Sequence, residues 1–176
     1  MVFGVRGKRQ GCGKGQSVRH LHGGREQDRI MRERLNAEPA EVVGRLHHAM
    51  NRHDLKAFLD CFDSDYRSEQ PVHPKRGFGG RTQVERNWSA LFDGIPDFHA
   101  ELIASAAEGD TLWSEWHWTG TRAGETPLDM RGVTLFRIED GRIGSGRLYM
   151  EEVEEAGGDI VVTVRRLTEG TPAQGK

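Results

Sequence analysis

Cysteine is almost absent from this chain of 176 residues, which contains only Cys12 and Cys61. Two cysteines cannot build the disulfide framework of a small secreted domain, so we expect reduced thiols and a cytoplasmic protein. Long apolar runs are missing too. No segment approaches the roughly 18 residues that a membrane-spanning helix needs, and no apolar stretch follows the charged N-terminal residues as it would in a signal peptide. We therefore expect no membrane partner.

Aromatic residues are scarce, at 7% of the sequence, whereas charged residues make up 30%. The basic residues are concentrated at the N-terminus: residues 1–37 have a formal charge of +6, and the rest of the chain has −8. This tail contains seven glycines in its first 24 residues and no apolar periodicity, which is typical of disorder. A basic tail with almost no aromatic residues to stack on bases does not favour nucleic-acid binding.

The glycine-rich segment "GCGKGQS" (residues 11–17) has the spacing of neither the phosphate-binding P-loop nor the dinucleotide fingerprint. His20 and His22 form an isolated pair, which is more typical of solvated side chains than of a metal site. We therefore expect neither a cofactor nor a metal ion.

Three regions are expected along the chain: a disordered tail over residues 1–37, one folded domain over 38–156 and a C-terminal extension over 157–176. In the extension, the capping residue Asp159 favours a short helix, whereas the β-branched run after it favours a strand. Both alternatives stay open.

Apolar periodicity predicts three helices at the start of the folded domain. Pro39 suits the first turn of the first helix. Asp54 can cap a short second helix. The "GFGG" segment (residues 77–80) is predicted as a loop, and Thr82 with Glu85 after it has the capping-box spacing of a third helix, which contains Trp88. The apolar face of the first helix recurs at helical spacing in Val43, Leu46, His47 and Met50.

The rhythm then changes from helix to strand. Four strands are predicted, namely "HAELIASAAE" (99–108), "DTLWSEWHWTGTR" (110–122), "MRGVTLFRIE" (130–139) and "GRIGSGRLYMEEVE" (141–154). The "EDG" between the last two is a hairpin signal. Helices followed by antiparallel strands predict an α+β fold, with three helices packed on one face of a curved sheet.

The segment "WSEWHWTGT" (residues 113–121) contains three of the four tryptophans. Strand alternation places Trp116 and Trp118 on one side, and Glu115 and His117 on the other. Burying tryptophan is favourable, whereas burying an unpartnered carboxylate is costly, so we expect the two tryptophans to face inward. The opposite assignment would make Glu115 and His117 the acid–base pair.

Five segments in this order resemble the SnoaL-like branch of the nuclear transport factor 2-like superfamily, which includes ketosteroid isomerases and limonene epoxide hydrolases. They are "NRHDLKAFLDCFDSDY", "GFGGRTQVERNW", "GIPDFHAEL", "EWHWTGT" and "FRIEDGRI…RLYME". The resemblance covers about residues 38–156. It implies a cone-shaped α+β barrel around one small-molecule pocket, and frequent dimers.

The resemblance also implies that the standard catalytic acids are missing. The Arg-x-Asp pair of the epoxide hydrolases falls on Trp116 and Trp118, and their second aspartate falls on Leu148. The aspartate base of the ketosteroid isomerases falls on Gln70, which cannot abstract a proton. Their oxyanion-binding tyrosine and protonated aspartate fall on Leu46 and Thr134. The "SGRLYMEE" segment also lacks the His-Trp motif of the SnoaL-type cyclases.

Two functions fit this pattern. The first is a non-catalytic pocket that binds a hydrophobic or aromatic small molecule. The alternative is an isomerase, cyclase or hydratase that acts on a hydrophobic carbonyl substrate, with His73 of "PVHP" as its acid–base residue. An open cavity with converging polar atoms would favour the enzyme. The predicted ligand-binding residues are Tyr66, Trp88, Trp116, Trp118, Leu148 and Met150.

A homodimer is expected through the outer face of the sheet. Polar and aromatic side chains share this face by strand parity, and cross-strand pairs of this kind stabilise a sheet surface. They are Glu115, His117, Arg147, Tyr149 and Glu151.

Overall fold

The computed structural model describes residues 20–154 and 158–169, with side chains described for 29–31 and from 38 onward. The helices are α1 (His20–Asn51), α2 (Leu55–Leu59), α3 (Arg81–Gly94) and α4 (Ile160–Glu169), and a 3₁₀ turn covers Pro74–Arg76. The strands are β1 (Phe62–Glu69), β2 (Phe78–Gly79), β3 (His99–Glu108), β4 (Thr111–Thr121), β5 (Pro127–Glu139) and β6 (Arg142–Glu152).

The six strands form one curved, unclosed sheet in the order β2-β1-β6-β5-β4-β3. Neighbouring strands are antiparallel except β1 and β6, which are parallel. The α+β fold predicted from the sequence is confirmed. None of the helices in the described ranges is long and apolar enough to cross a membrane.

The predicted strands correspond closely to β3–β6, because alternation and turn residues are local signals. The "EDG" hairpin joins β5 to β6, and Asp140 and Gly141 have φ angles of 49° and 72°. Positive φ at two successive residues is the geometry of a type I′ two-residue hairpin turn. Asp54 also caps α2 as predicted, since its Oδ1 accepts a hydrogen bond of 2.9 Å from the backbone N–H of Ala57.

Helix α1 is attached to the edge strand β3 by hydrogen bonds as well as by apolar contacts. Val43, Leu46 and Met50 are buried under the sheet. The Asn51 amide donates from Nδ2 to the carbonyl of Ala100 and accepts from the Ala100 backbone N–H, both at 2.8 Å. This pairing satisfies a backbone edge that β3 would otherwise leave open.

Three local predictions need correction. Helix α1 begins at His20, so Pro39 lies inside it and not in its first turn. Thr82 is not the cap of α3, which begins at Arg81 after Gly80, whose backbone N–H is held by the carbonyl of Tyr66. "GFGG", predicted as a loop, contains β2. The domain boundary near residue 38 stays a prediction, and residues 1–19 of the tail lie outside the described part.

Helix α4 lies in the C-terminal extension. Asp159 begins it by accepting two hydrogen bonds of 3.0 Å from the backbone N–H groups of Val161 and Val162. The helix therefore prevails over the strand that its β-branched run also allowed. Every residue of α4 is exposed.

Gly146 of β6 is packed against the Tyr66 side chain. A Cβ at this position would lie 2.6 Å from the Tyr66 hydroxyl oxygen and 2.9 Å from the Phe136 ring. These distances are shorter than non-bonded contacts allow. The Tyr66 side chain can therefore take its observed position only because residue 146 has no side chain.

We expect Gly146→Ala to lower the free energy of unfolding by about 1–3 kcal/mol, since the added methyl overpacks the interior. Gly44→Ala in α1 is the matched control. No atom would lie within 4 Å of its new Cβ, so it should stabilise the helix slightly, by up to about 1 kcal/mol. Urea unfolding of both variants tests this, and equal stability of Gly146→Ala and the wild type would contradict it.

Candidate ligand-binding site

Strand β4 sends its tryptophans to opposite faces of the sheet, as its alternation predicts. Trp116 and Trp118 are 1% and 9% exposed and face the helices, whereas Trp113 is 50% exposed on the outer face. Glu115 is also exposed. The alternative in which Glu115 and His117 face the interior is thus excluded.

The Trp116 indole is held by a buried group of hydroxyls. Its Nε1 donates to Ser114 Oγ at 3.0 Å and to Thr134 Oγ1 at 3.1 Å, and the two hydroxyl oxygens are 2.8 Å apart. The sequence analysis missed these acceptors. The sequence could have indicated Ser114 as an acceptor, because it shares the strand parity of Trp116. Thr134 could not be identified in this way, because its contact depends on the pairing of β4 with β5.

Trp118 lies in an aromatic cluster. Its ring centroid is 5.7 Å from that of Trp88 and 5.9 Å from that of Phe98, both edge-to-face. The ring centroid of Phe58 lies 4.0 Å from that of Trp88. The Trp118 Nε1 is buried like that of Trp116, but it has no hydrogen-bond partner among the described residues. An unpaired buried donor costs about 1–3 kcal/mol.

The other predicted pocket residues lie on the inner faces of neighbouring elements. Met150 is 7% exposed and belongs to the same cross-strand row as Trp116, with Gly132 between them. Leu148 pairs with Thr134 and is partly buried. Trp88 on α3 is also partly buried. The structure therefore places the predicted ligand-binding tryptophans Trp88, Trp116 and Trp118 on the same side of the sheet as Leu148 and Met150.

Tyr66 is buried on the inner side of β1. It is 3% exposed, and its ring packs edge-to-face against Phe62 and Phe78 at centroid distances of 4.9 and 6.2 Å. Burial raises the pKa of the Tyr66 hydroxyl to about 12, because the low-dielectric interior disfavours the phenolate. The hydroxyl is therefore a neutral group near physiological pH.

His73 contacts the outer face of the sheet, on the side opposite Trp116 and Trp118. Its Nε2 is 2.8 Å from Oε1 of Glu151. Glu151 is exposed and alternates along β6 with the buried Met150, so its carboxylate projects away from the inner side. The only predicted catalytic residue is thus separated from the predicted pocket residues.

His117 is also engaged on the outer face. Its Nε2 lies 2.8 Å from Asp129 Oδ1, and its Nδ1 lies 3.3 Å from Arg131 Nη2. A guanidinium only donates, so Nδ1 accepts and Nε2 carries the proton that is donated to Asp129. Glu101 is close to the same ring, with its Oε2 at 3.6 Å from Nδ1. These contacts give His117 a structural role.

His47 has a structural partner too. Its Nε2 is 2.9 Å from the carbonyl oxygen of Ala100, and its ring centroid is 5.9 Å from that of Trp116. Because a carbonyl only accepts, the imidazole donates here. His47 thus holds α1 against the sheet edge next to Asn51.

Three surface cavities, of about 410, 490 and 690 Å³, border Asp60 near α1 and α2. None of them is lined by a predicted site residue. Within the two described ranges, no group of three His, Cys, Asp or Glu side chains is arranged to hold a metal ion. The inner side chains around Trp118 are aromatic and apolar, and they offer hydrogen-bond donors but no carboxylate.

Comparisons with known proteins agree with this architecture. The family model described as a SnoaL-like domain matches residues 43–145. A protein assigned as a SnoaL-like polyketide cyclase from Jannaschia sp. CCS1 is 19% identical, with a TM-score of 0.58, and the match covers 78% of this chain and 96% of that one. A comparison with curated proteins finds no match.

Two further solved structures are similar. An LEH-like epoxide hydrolase from M. tuberculosis is 16% identical over 66% of this chain and 84% of its own, with a TM-score of 0.58. A protein with a ketosteroid isomerase-like fold from Catenulispora acidiphila DSM 44928, in complex with trimethylamine, is 21% identical over 61% and 82%, with a TM-score of 0.54. At these identities the likeness establishes the fold alone.

The raised pKa of Tyr66 predicts a loss of stability at alkaline pH. In the unfolded chain a tyrosine ionises near pH 10, whereas Tyr66 in the folded chain stays protonated up to about 12. The free energy of unfolding should therefore keep this contribution below about pH 10 and lose about 2–3 kcal/mol as the pH rises to about 12. Tyr66→Phe should remove this component. A pH dependence of urea unfolding that Tyr66→Phe shares with the wild type would contradict the prediction.

Proposed function

This chain belongs to the SnoaL-like domain family, and from that membership and the apolar inner side of its sheet we propose that it binds a hydrophobic or aromatic small molecule against Trp118. The ligand lies between α3 and the sheet. Leu148 and Met150 contribute apolar walls, and Tyr66 on β1 contributes a buried hydroxyl. Trp116 contributes apolar surface to the site but no hydrogen bond to the ligand, because its indole N–H already donates to Ser114 and Thr134.

The unpartnered Nε1 of Trp118 is the observation that carries this proposal. Trp116, two residues away on the same face, has two acceptors for the same group. A ligand with a carbonyl or ether oxygen would supply the acceptor that Trp118 lacks. Its hydrocarbon part would pack against the aromatic rings around Trp118, in place of their contacts with one another.

Access to Trp118 passes through Trp88. The Trp88 ring is partly exposed and lies edge-to-face over Trp118, whose nitrogen is closed to solvent. A change of the Trp88 rotamer would open this side of the cluster without moving the strands.

Binding without catalysis is supported better than the enzyme alternative. A proton-transfer step needs a group whose charge can change next to the substrate. The inner side chains around Trp118 are indole, phenyl, thioether and aliphatic groups, and the imidazole of His47 beside Trp116 already donates to the Ala100 carbonyl. Acid–base catalysis by His73 stays a prediction without a supporting contact, because its imidazole pairs with Glu151 on the outer face.

A homodimer through the outer sheet face is also part of the proposal. Trp113 and Tyr149 are 50% and 37% exposed there, and large exposed aromatic side chains are characteristic of interfaces. The charged contacts around His117 and Glu151 would form the polar rim of such an interface.

Ligand binding is tested with a pair of probes, 2-acetylnaphthalene and 2-ethylnaphthalene, which share a ring system and differ in a carbonyl acceptor. The wild type should bind the ketone more tightly. Trp118→Phe keeps an aromatic ring but removes the N–H, so its affinity for the ketone should fall about 3–10-fold while its affinity for the hydrocarbon changes little.

Isothermal titration calorimetry measures these affinities, with His117→Ala as the outer-face control that should bind both probes like the wild type. If neither probe binds the wild-type protein, the proposed function is refuted. Equal ketone affinity of the wild type and Trp118→Phe would refute the role of the indole nitrogen.

The dimer is tested by light scattering. At micromolar concentration the mass should be about twice the 19.8 kDa of the chain. A mass that stays at one chain up to millimolar concentration would show that the outer face is not a self-interface.

A further inference from the structure

His47 brings a second hydrogen-bonding group to the inner side of the sheet. It belongs to the apolar face of α1, where Val43, Leu46 and Met50 are at most 3% exposed. The His47 ring centroid lies 5.9 Å from that of Trp116, which is 1% exposed on the inner face of β4. The imidazole therefore lies in the layer between α1 and the inner tryptophans.

One nitrogen of the His47 ring is engaged and the other is not. Nε2 lies 2.9 Å from the Ala100 carbonyl oxygen, which only accepts, so Nε2 carries the proton of the neutral ring. Nδ1 is then an acceptor, and no group in the described part of the chain donates to it. The completely buried side-chain atoms that lack a partner in this part are Trp118 Nε1 and Ser68 Oγ, and His47 Nδ1 is not among them. A small molecule can therefore reach Nδ1.

This acceptor lies near the indole that makes the proposed ligand contact. Ala100, whose carbonyl holds His47, is the cross-strand partner of Trp118 in the pairing of β3 with β4. Trp116, beside the imidazole, is two residues from Trp118 on the same face of β4. Directly opposed side chains are about 5 Å apart and alternate residues of a strand about 7 Å apart, so His47 Nδ1 and Trp118 Nε1 are on the order of 10 Å apart.

We propose that His47 Nδ1 accepts a hydrogen bond from the ligand, at the end opposite to the oxygen that Trp118 Nε1 contacts. This inference rests on the proposed function and narrows its ligand class. The ligand is an elongated aromatic molecule of about two fused rings, with an oxygen acceptor at one end and a hydroxyl or N–H donor at the other. With a phenol the proton stays on the ligand, because a phenol is a much weaker acid than an imidazolium ion.

The two contacts have opposite polarity, and this gives the site a direction. Because the Ala100 carbonyl fixes Nε2 as the donor of the neutral ring, His47 cannot donate to the ligand from Nδ1. A ligand whose ends both accept satisfies only Trp118, and one whose ends both donate satisfies only His47. Apolar walls alone distinguish none of these molecules, so the two nitrogens determine which ligand is preferred and how it is oriented.

Three ketones with one ring system test the His47 contact: 2-acetylnaphthalene, 6-hydroxy-2-acetylnaphthalene and 6-methoxy-2-acetylnaphthalene. The hydroxyl adds a donor at the far end from the carbonyl, whereas the methoxy group keeps the oxygen but cannot donate. Calorimetric titration of the full chain at about pH 7.5, where an ordinary imidazole is mostly neutral, measures the affinities. The hydroxyketone should bind about 3–10-fold more tightly than the parent ketone, the gain from one neutral hydrogen bond. The methoxy ketone should lack this gain.

Two variants separate the ligand contact from the structural role of His47. His47→Phe keeps a ring beside Trp116 but removes Nδ1, so its affinities for the hydroxyketone and the parent ketone should become equal. Asn51→Ala is the matched control, because Asn51 also donates to the Ala100 carbonyl, at 2.8 Å, and its loss also weakens the attachment of α1 to β3. This variant keeps Nδ1 and should keep the hydroxyl gain.

The possible results separate this inference from the proposed function. Equal affinity of the wild type for the hydroxyketone and the methoxy ketone would overturn the inference, and this comparison does not depend on the folding of any variant. A hydroxyl gain that persists in His47→Phe would assign the donor contact to another residue and would overturn it as well. In both cases binding of the parent ketone leaves the proposed function in place. If neither the parent ketone nor its hydroxyl derivative binds the wild type, the inference falls together with the proposed ketone contact.

Discussion

The hydrogen bonds from the Trp116 indole to Ser114 and Thr134 fix the geometry on which the rest of the fold depends. Trp116 is the largest fully buried side chain, and its N–H would be a costly orphan without these hydroxyls. Thr134 reaches it only in the observed register of β4 and β5. A slip by one residue would turn every inward side chain of β4 outward. The inner surface against which α1 packs would then be lost.

The same inner surface explains why family membership does not fix a reaction. One fold hosts many chemistries, and the chemistry belongs to particular side chains. In this chain the inner positions of β4 and β6 include Trp116, Trp118 and Leu148. An ionised carboxylate among such neighbours would be expensive unless it were paired. The proposed recognition of a ligand by shape and by one donated hydrogen bond rests on this apolar interior.

The two faces of the sheet separate His117 and His73 from Trp116 and Trp118. On the outer face, carboxylates and arginines hold His117 and His73 in polar contacts. On the inner face, the Trp116 indole lies beside the His47 ring, and the Trp118 indole packs against Trp88 and Phe98. The conformations of His117 and His73 therefore depend on groups from other strands. The outer face also has the exposed apolar side chains that make it suited to contact another protein surface.

The sequence by itself determined the elements whose signals are local: the alternation of β4, the hairpin at Asp140 and Gly141, the Asp54 cap and the apolar face of α1. Each of these signals lies within a few residues of sequence, so it predicts local structure without information about distant contacts. Only the tertiary structure decided the rest. The pairing of His73 with Glu151 joins residues 78 positions apart, and the acceptors of Trp116 come partly from the neighbouring strand. Parallel pairing of β1 with β6 places such groups together, and no local period records which distant strand a residue will meet.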